Sequence, residues 1–136
     1  MNILQDKFRD NDNVVFLSHS VDPDYDTQET LAEYAKLVHA IKNKWYIVTG
    51  NKEAIYKLAR ESYFAAASSG KEGTPEDFVH SENLVLIDQE GRIRAICDGT
   101  KYKTHQKAGN TKGVHDFIDD IKALVAATQF SKKSIK

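Results

Sequence analysis

The stretch Val14–Thr27, VVFLSHSVDPDYDT, decides the architecture. Val14 to Ser18 is a short, nearly continuous apolar run of strand length, the pattern of a buried strand. Pro23 cannot donate to a ladder and stops it. Asp26 is a candidate N-cap, with Glu29 three residues later in the capping-box position. Leu31, Tyr34, Ala35, Val38 and Ile41 then recur at helical spacing, which predicts a helix from about Thr27 to Asn43. A buried strand that runs through Ser18, His19 and Ser20 into an acidic turn belongs to an α/β protein. Such proteins gather their chemistry at the carboxyl ends of strands.

Working outward, WYIVTG (Trp45–Gly50) is a second short strand closed by a turn glycine. Asn51 can cap a following helix whose stripe is Ile55, Leu58, Ala59 and Ser62. SSGKEGTPED (68–77) is a surface loop by its Ser, Gly and Pro content. FVHSENLVLIDQEGRIRAICDGT (78–100) reads as two strands around the turn DQEG, a β-hairpin. YKTHQKAGNTKG (102–113) is polar and irregular. Val114, Phe117, Ile118, Ile121, Leu124 and Val125 form the stripe of a last amphipathic helix. At the other end, MNILQDKFRDNDN resembles the second half of an amphipathic helix, with Ile3, Leu4 and Phe8 on one side. Strands alternating with helices argue for parallel pairing, and the hairpin makes the expected sheet mixed. This βαβ-then-ββα order is the general plan of a thioredoxin-like domain.

Composition narrows the function classes. The chain has 136 residues, 40% apolar and 29% charged, a globular balance for one domain with 129–136 as a basic tail. Its 19 basic and 20 acidic residues give a net charge of −1, so no global field favours nucleic acid or an anionic membrane. The one cysteine, Cys97, excludes an internal disulfide and a multi-thiolate zinc site within this sequence. It also excludes a dithiol mechanism, which needs an attacking and a resolving thiol. If the hairpin turns about Gln89–Glu90, Cys97 faces Glu82 and shares a face with Leu84, Leu86, Ile93 and Ala95. That makes Cys97 a small buried hydrophobe or, with His80 diagonally about 7 Å away on the same face, one half of a Cys–His pair. The D-x-D-x-D run Asp22–Asp26 echoes an EF-hand loop but lacks its glycine and terminal Glu. Capping and turn formation account for it. His39, His105 and His115 fall at no metal-ligand spacing, and His115 with Asp119 is expected as a surface pair.

Three segments, taken as an ordered set, resemble the Sco/SenC family of thioredoxin-like copper proteins. They are FLSHSVDPDYDT leading into LAEYAKLV, WYIVTG followed by NKEAIYKLA, and FVHSENLVLIDQEGRIR before DGT. The resemblance spans about Val14 to Thr100. It implies a thioredoxin-like sheet outside the cytoplasm, in the periplasm or cell envelope, usually tethered by an N-terminal membrane anchor. The implied work is copper delivery to the copper-binding subunit of cytochrome c oxidase, possible exchange with another copper chaperone, or thiol reduction in that assembly. The family's ligands are two thiolates of a C-x-x-x-C motif and one distant histidine, which maps onto His80. The C-x-x-x-C turn and its central strand have no counterpart here, so the chain is expected to be an N-terminally truncated domain that does not hold copper tightly alone. The strand at Val14–Ser18 would then either close onto the hairpin or offer an open edge to a dimer. A degenerate thioredoxin-like interaction module, without metal or redox activity, is the alternative of another class. A single-cysteine enzyme built on Cys97 is the third reading.

Overall fold

A computed structural model describes residues 1–62, 82–101 and 113–133, with side chains described as far as 128. They group into two compact units, Met1–His80 and Ser81–Lys136. The hairpin's opening FVHS, including His80, the 68–77 loop and the 102–112 segment lie outside the described residues.

In the first unit, α1 (Asn2–Lys7) is followed by β1 (Phe16–His19), α2 (Gln28–Leu37), β2 (Trp45–Val48) and α3 (Lys52–Glu61). β1 and β2 pair in parallel with Phe16 opposite Trp45 and His19 opposite Val48. The core gathers Leu4, Phe8, Val14, Phe16, Leu31 and Trp45, all buried. Phe8 and Phe16 meet with ring centroids 6.5 Å apart. Each such burial is worth roughly 1.5–3 kcal/mol, so this small set carries much of the unit. Ile3 does not join it: 49% exposed, it stands off the stripe that Leu4 and Phe8 form at i, i+4 spacing.

Two buried polar side chains fasten the connections. The Gln5 amide donates to the His39 carbonyl at 3.0 Å and accepts from the Ile41 amide at 2.9 Å. It thereby holds a turn whose His39 has a φ of 54° and whose Asn43 has a φ of 64°. Those left-handed residues end α2 at Leu37, well short of Asn43, because a right-handed helix cannot pass through them. Lys44, 5% exposed, donates through Nζ to the Asn11 carbonyl at 2.6 Å and the Val14 carbonyl at 2.8 Å. The strand entry at Val14 is fixed by that ammonium.

In the second unit, β3 (Asn83–Ile87) and β4 (Ile93–Asp98) form the antiparallel hairpin, and α4 runs Val114–Lys133. α4 buries Val114, Phe117, Ile118 and Ile121, the expected stripe. Its helix continues to Lys133, into the basic tail. Each pair of strands is its own two-stranded sheet among the described residues: β1 with β2, β3 with β4. Parallel and antiparallel halves are both present, as an α/β thioredoxin-like plan requires.

The hairpin register departs from the expected one. Leu84, not Glu82, stands opposite Cys97. Asp88 faces Arg92, with the Asp88 amide 3.0 Å from the Arg92 carbonyl, so Gln89, Glu90 and Gly91 form a three-residue loop. Gly91 has a φ of 77°, the left-handed conformation that closes such a loop. The ladder then shifts between Leu86 and Ile87, leaving Arg94 as the extra residue of a bulge. The two irregularities together move the register by two residues. Two is the period of a strand, so Cys97 keeps the face assigned to it.

Candidate functional site

The carboxyl end of β1 is where the polar groups converge. Ser20 is buried; its amide donates to the Val48 carbonyl at 2.8 Å, extending the ladder one residue past β1. Its hydroxyl donates to Asp26 Oδ2 at 2.6 Å and accepts from the Asp22 amide at 3.0 Å. The Asp22 carbonyl accepts from the amides of Tyr25 and Asp26, and the Tyr56 hydroxyl donates to the Val21 carbonyl at 2.9 Å. Asp24 pairs with Lys52 at 3.2 Å. The SVDPDYD turn is thus closed largely on itself.

Asp26 is spent on Ser20, and α2 is capped one residue later than expected. The Thr27 hydroxyl accepts from the Thr30 amide at 3.2 Å. Glu29 serves the same terminus: its own backbone amide and the Thr27 hydroxyl hold its carboxyl below the ordinary value. Asn51 caps α3 as expected, accepting from the Ala54 amide at 2.9 Å. Among the sequence motifs, one link was not foreseen. The Trp45 indole N–H donates to the Ser18 hydroxyl at 2.9 Å, joining the W-x-x-x-T-G strand to the SVDP strand. Gln5 and Lys44 were missed as well. A glutamine between Leu4 and Phe8 on a buried helix stripe, and a lysine directly before a strand tryptophan, were the available signals.

A pocket of about 790 Å³ opens beside these groups, within the first unit. Leu31, Tyr34 and Trp45 give it apolar walls, and Ser18, Ser20 and Asp26 supply oxygen atoms. His19 lines it too, and partial burial lowers that imidazole's pKa. The neighbouring Thr49, of W-x-x-x-T-G, has a buried hydroxyl oxygen with no partner.

Cys97 lies in the second unit, fully buried on the inner side of β4. Along β4 the alternation of half-buried Ile93 and Ala95 with exposed Arg94 and Ile96 ends on it. Burial pushes its thiol up to about 11, with Asp98, Asp120 and Asp116 adding smaller unfavourable charge. A thiol held protonated in this way is a poor nucleophile and a poor soft-metal ligand at neutral pH. The single-cysteine enzyme therefore finds no support in its surroundings. The diagonal placement of His80 near Cys97 rested on Cys97 facing Glu82, which is not the register found. His80 itself lies outside the described residues.

Among the described residues no group of three or more His, Cys, Asp or Glu side chains is arranged to hold a metal ion. Their donor set does not fit Cu(I), which selects thiolate and thioether sulfur. No helix among them is long and apolar enough to cross a membrane. His115 is exposed on α4, and Asp119 pairs with Lys122 at 2.8 Å.

A parallel βαβ pair, a bulged hairpin and a closing helix, with an SVDP turn at the end of β1, define a thioredoxin-like α/β protein. The SCO1/SenC family profile matches residues 1–115, and the chain belongs to that family. No curated protein and no solved structure gives a significant match.

Proposed function

We propose that the protein serves cytochrome c oxidase assembly outside the cytoplasm, as a copper-delivering or thiol-reducing member of its family. The observation that carries this is the family match over residues 1–115, reinforced by the ordered motifs SVDP, W-x-x-x-T-G and HS in one chain. Copper is cargo in this reading, and His80 is its one ligand within the sequence given. The two thiolates of the family's site would have to come from a segment outside these 136 residues, as would a membrane anchor. The described residues provide the scaffold: the Ser20–Asp26 turn and the Trp45–Ser18 bond hold the strand end rigid. The oxidase's copper-binding subunit or another copper chaperone is the expected partner.

The test is a Cu(I) titration of this chain against a competing chelator, with His80→Ala alongside. Weak binding that disappears in His80→Ala supports the ligand role. Tight binding that survives the substitution overturns it.

A second reading keeps the scaffold and drops the chemistry, as an interaction module. The buried, protonated Cys97 favours it, because the only thiol in the sequence is withdrawn from both metal and redox work. In that case the protein binds no copper and reduces no thiol, which copper-binding and thiol-reduction assays would read directly.

A further inference from the structure

The hairpin ladder gains a last rung just past its strands: the Gly99 amide donates to the Glu82 carbonyl at 2.8 Å. A Cβ at Gly99 would stand 2.7 Å from that same oxygen, so this close approach needs glycine. Packing thereby puts a glycine directly after Asp98. It is the one Asp-Gly step in the sequence, which has no Asn-Gly step. Asp-Gly is the aspartyl bond most prone to cyclise, because a residue without a side chain lets its nitrogen swing to the neighbouring carboxyl.

The reaction balances with no cofactor. Gly99 N attacks Asp98 Cγ; the N–Cγ bond forms and the Cγ–OH bond breaks. The amide proton and the hydroxyl leave as water, and a succinimide remains. Water then opens the ring at either carbonyl. Opening at Cγ returns aspartate. Opening at the α-carbonyl gives isoaspartate, with the main chain rerouted through Cβ and Cγ.

The fold restrains both reacting groups. The Gly99 N–H is engaged on Glu82, and its nitrogen cannot turn to Cγ while that rung is made. Asp98 Oδ1 accepts from the Thr100 amide at 2.9 Å and from the Thr100 hydroxyl, and Oδ2 pairs with Lys101 at 2.9 Å. These bonds favour the carboxylate, a poor electrophile, over the reactive acid. Both restraints lie at a ladder end, where local opening costs least. Gly99 and Thr100 are exposed to the water that hydrolysis needs.

We propose that Asp98–Gly99 is a self-modification site gated by the hairpin: closed, it stays aspartate; opened, it converts through the succinimide to isoaspartate. The extra backbone carbon then takes the Gly99 N–H off Glu82 and displaces Lys101, whose carbonyl accepts from the amide of buried Val114 at 2.7 Å. The hairpin end and the start of α4 loosen together. This goes beyond the oxidase-assembly reading and involves no metal, so either can fail without the other.

The test incubates the full chain at neutral pH, with the blocked peptide Asp-Gly-Thr-Lys as the ungated reference. Isoaspartate is counted by mass spectrometry after endoproteinase Asp-N, which cuts before aspartate and not before isoaspartate. The native chain converts about tenfold or more slowly than the peptide, equivalent to a local opening of about 1.4 kcal/mol. In urea the chain matches the peptide. Thr100→Ala/Lys101→Ala, two exposed positions, keeps the rung, frees the carboxylate and speeds conversion about fivefold. Leu84→Ala, opposite Cys97, loosens the ladder and moves the native rate toward the peptide's. Should that variant not fold, the double variant, which leaves the core intact, still decides. Native conversion as fast as the peptide's, a double variant no faster than wild type, or an unfolded chain that stays aspartate overturns the proposal. So does an isomerised chain that melts like the unmodified one.

Discussion

At the scale of the residue, Cys97 shows how far position governs chemistry. Its alternation with Ala95 and Ile93 placed it in the core by sequence alone. Its thiol is displaced from the ordinary 9.0 to about 11 by burial. Labelling with a thiol reagent at neutral pH is expected to be slow in the native chain and fast after denaturation; fast native labelling would contradict the core placement. The linkage has a definite sign. The unfolded chain loses this proton from about pH 9 and the folded chain holds it to about 11, so stability falls across that interval. Alkaline melting of the wild type against Cys97→Ala reads it, the wild type losing more between those pH values.

At the scale of the element, α2 and the hairpin show which parts of the sequence were legible. Existence and type of the helices and strands followed from periodicity, and Asn51 was recognisable as a cap because nothing competes for its side chain. Asp26 was misread because a long-range demand, the buried Ser20 hydroxyl six residues earlier, takes its carboxylate. Capping then passes to Thr27. The end of α2 was illegible for the same kind of reason: Gln5, far away in sequence, stabilises a left-handed turn at His39 that local spacing does not announce. The hairpin's three-residue loop and bulge each displace the ladder by one, and only their sum is invisible to face assignment. Thr27→Ala is expected to cost about 1 kcal/mol in a chemical melt, the usual worth of an N-cap. Gln5→Ala is expected to cost more, roughly 1–3 kcal/mol for the buried carbonyl and amide it abandons. Equal effects would mean that the long-range bond is not what ends α2.

At the scale of the whole molecule, motif order carried the family and the sequence could not carry the site. SVDP and W-x-x-x-T-G act together because Ser20 and Trp45, with their partners Asp26 and Ser18, build the turn and join the two strands. The soft ligands that would turn the scaffold into a copper site are not among its residues. Acid behaviour is set instead by depressed carboxylates, Asp98 and Asp88 of the hairpin and Glu29 at the start of α2. Bonds from Thr100 and Lys101 bring Asp98 down to about 2, and the Arg92 amide lowers Asp88. A depressed carboxylate contributes stability above its unfolded value of 3.8, and that contribution is lost as pH falls toward 2. Circular dichroism across pH 5 to 2 is therefore expected to show loss of structure beginning below about 4. Replacing Asp98 with Asn should flatten that limb, and an unchanged limb would point to other carboxylates.

The lysine that fixes the entry to β1 has a consequence for how the chain meets amine-reactive chemistry. With its ammonium enclosed by the carbonyls of Asn11 and Val14, Lys44 is withheld from reagents that reach exposed lysines such as Lys36 and Lys122. Acylation at that one position, followed by peptide mass spectrometry, becomes an internal clock for opening of the first unit. Its label should appear only as fast as the strand entry comes apart, and early labelling would show that the enclosure is not kept in solution.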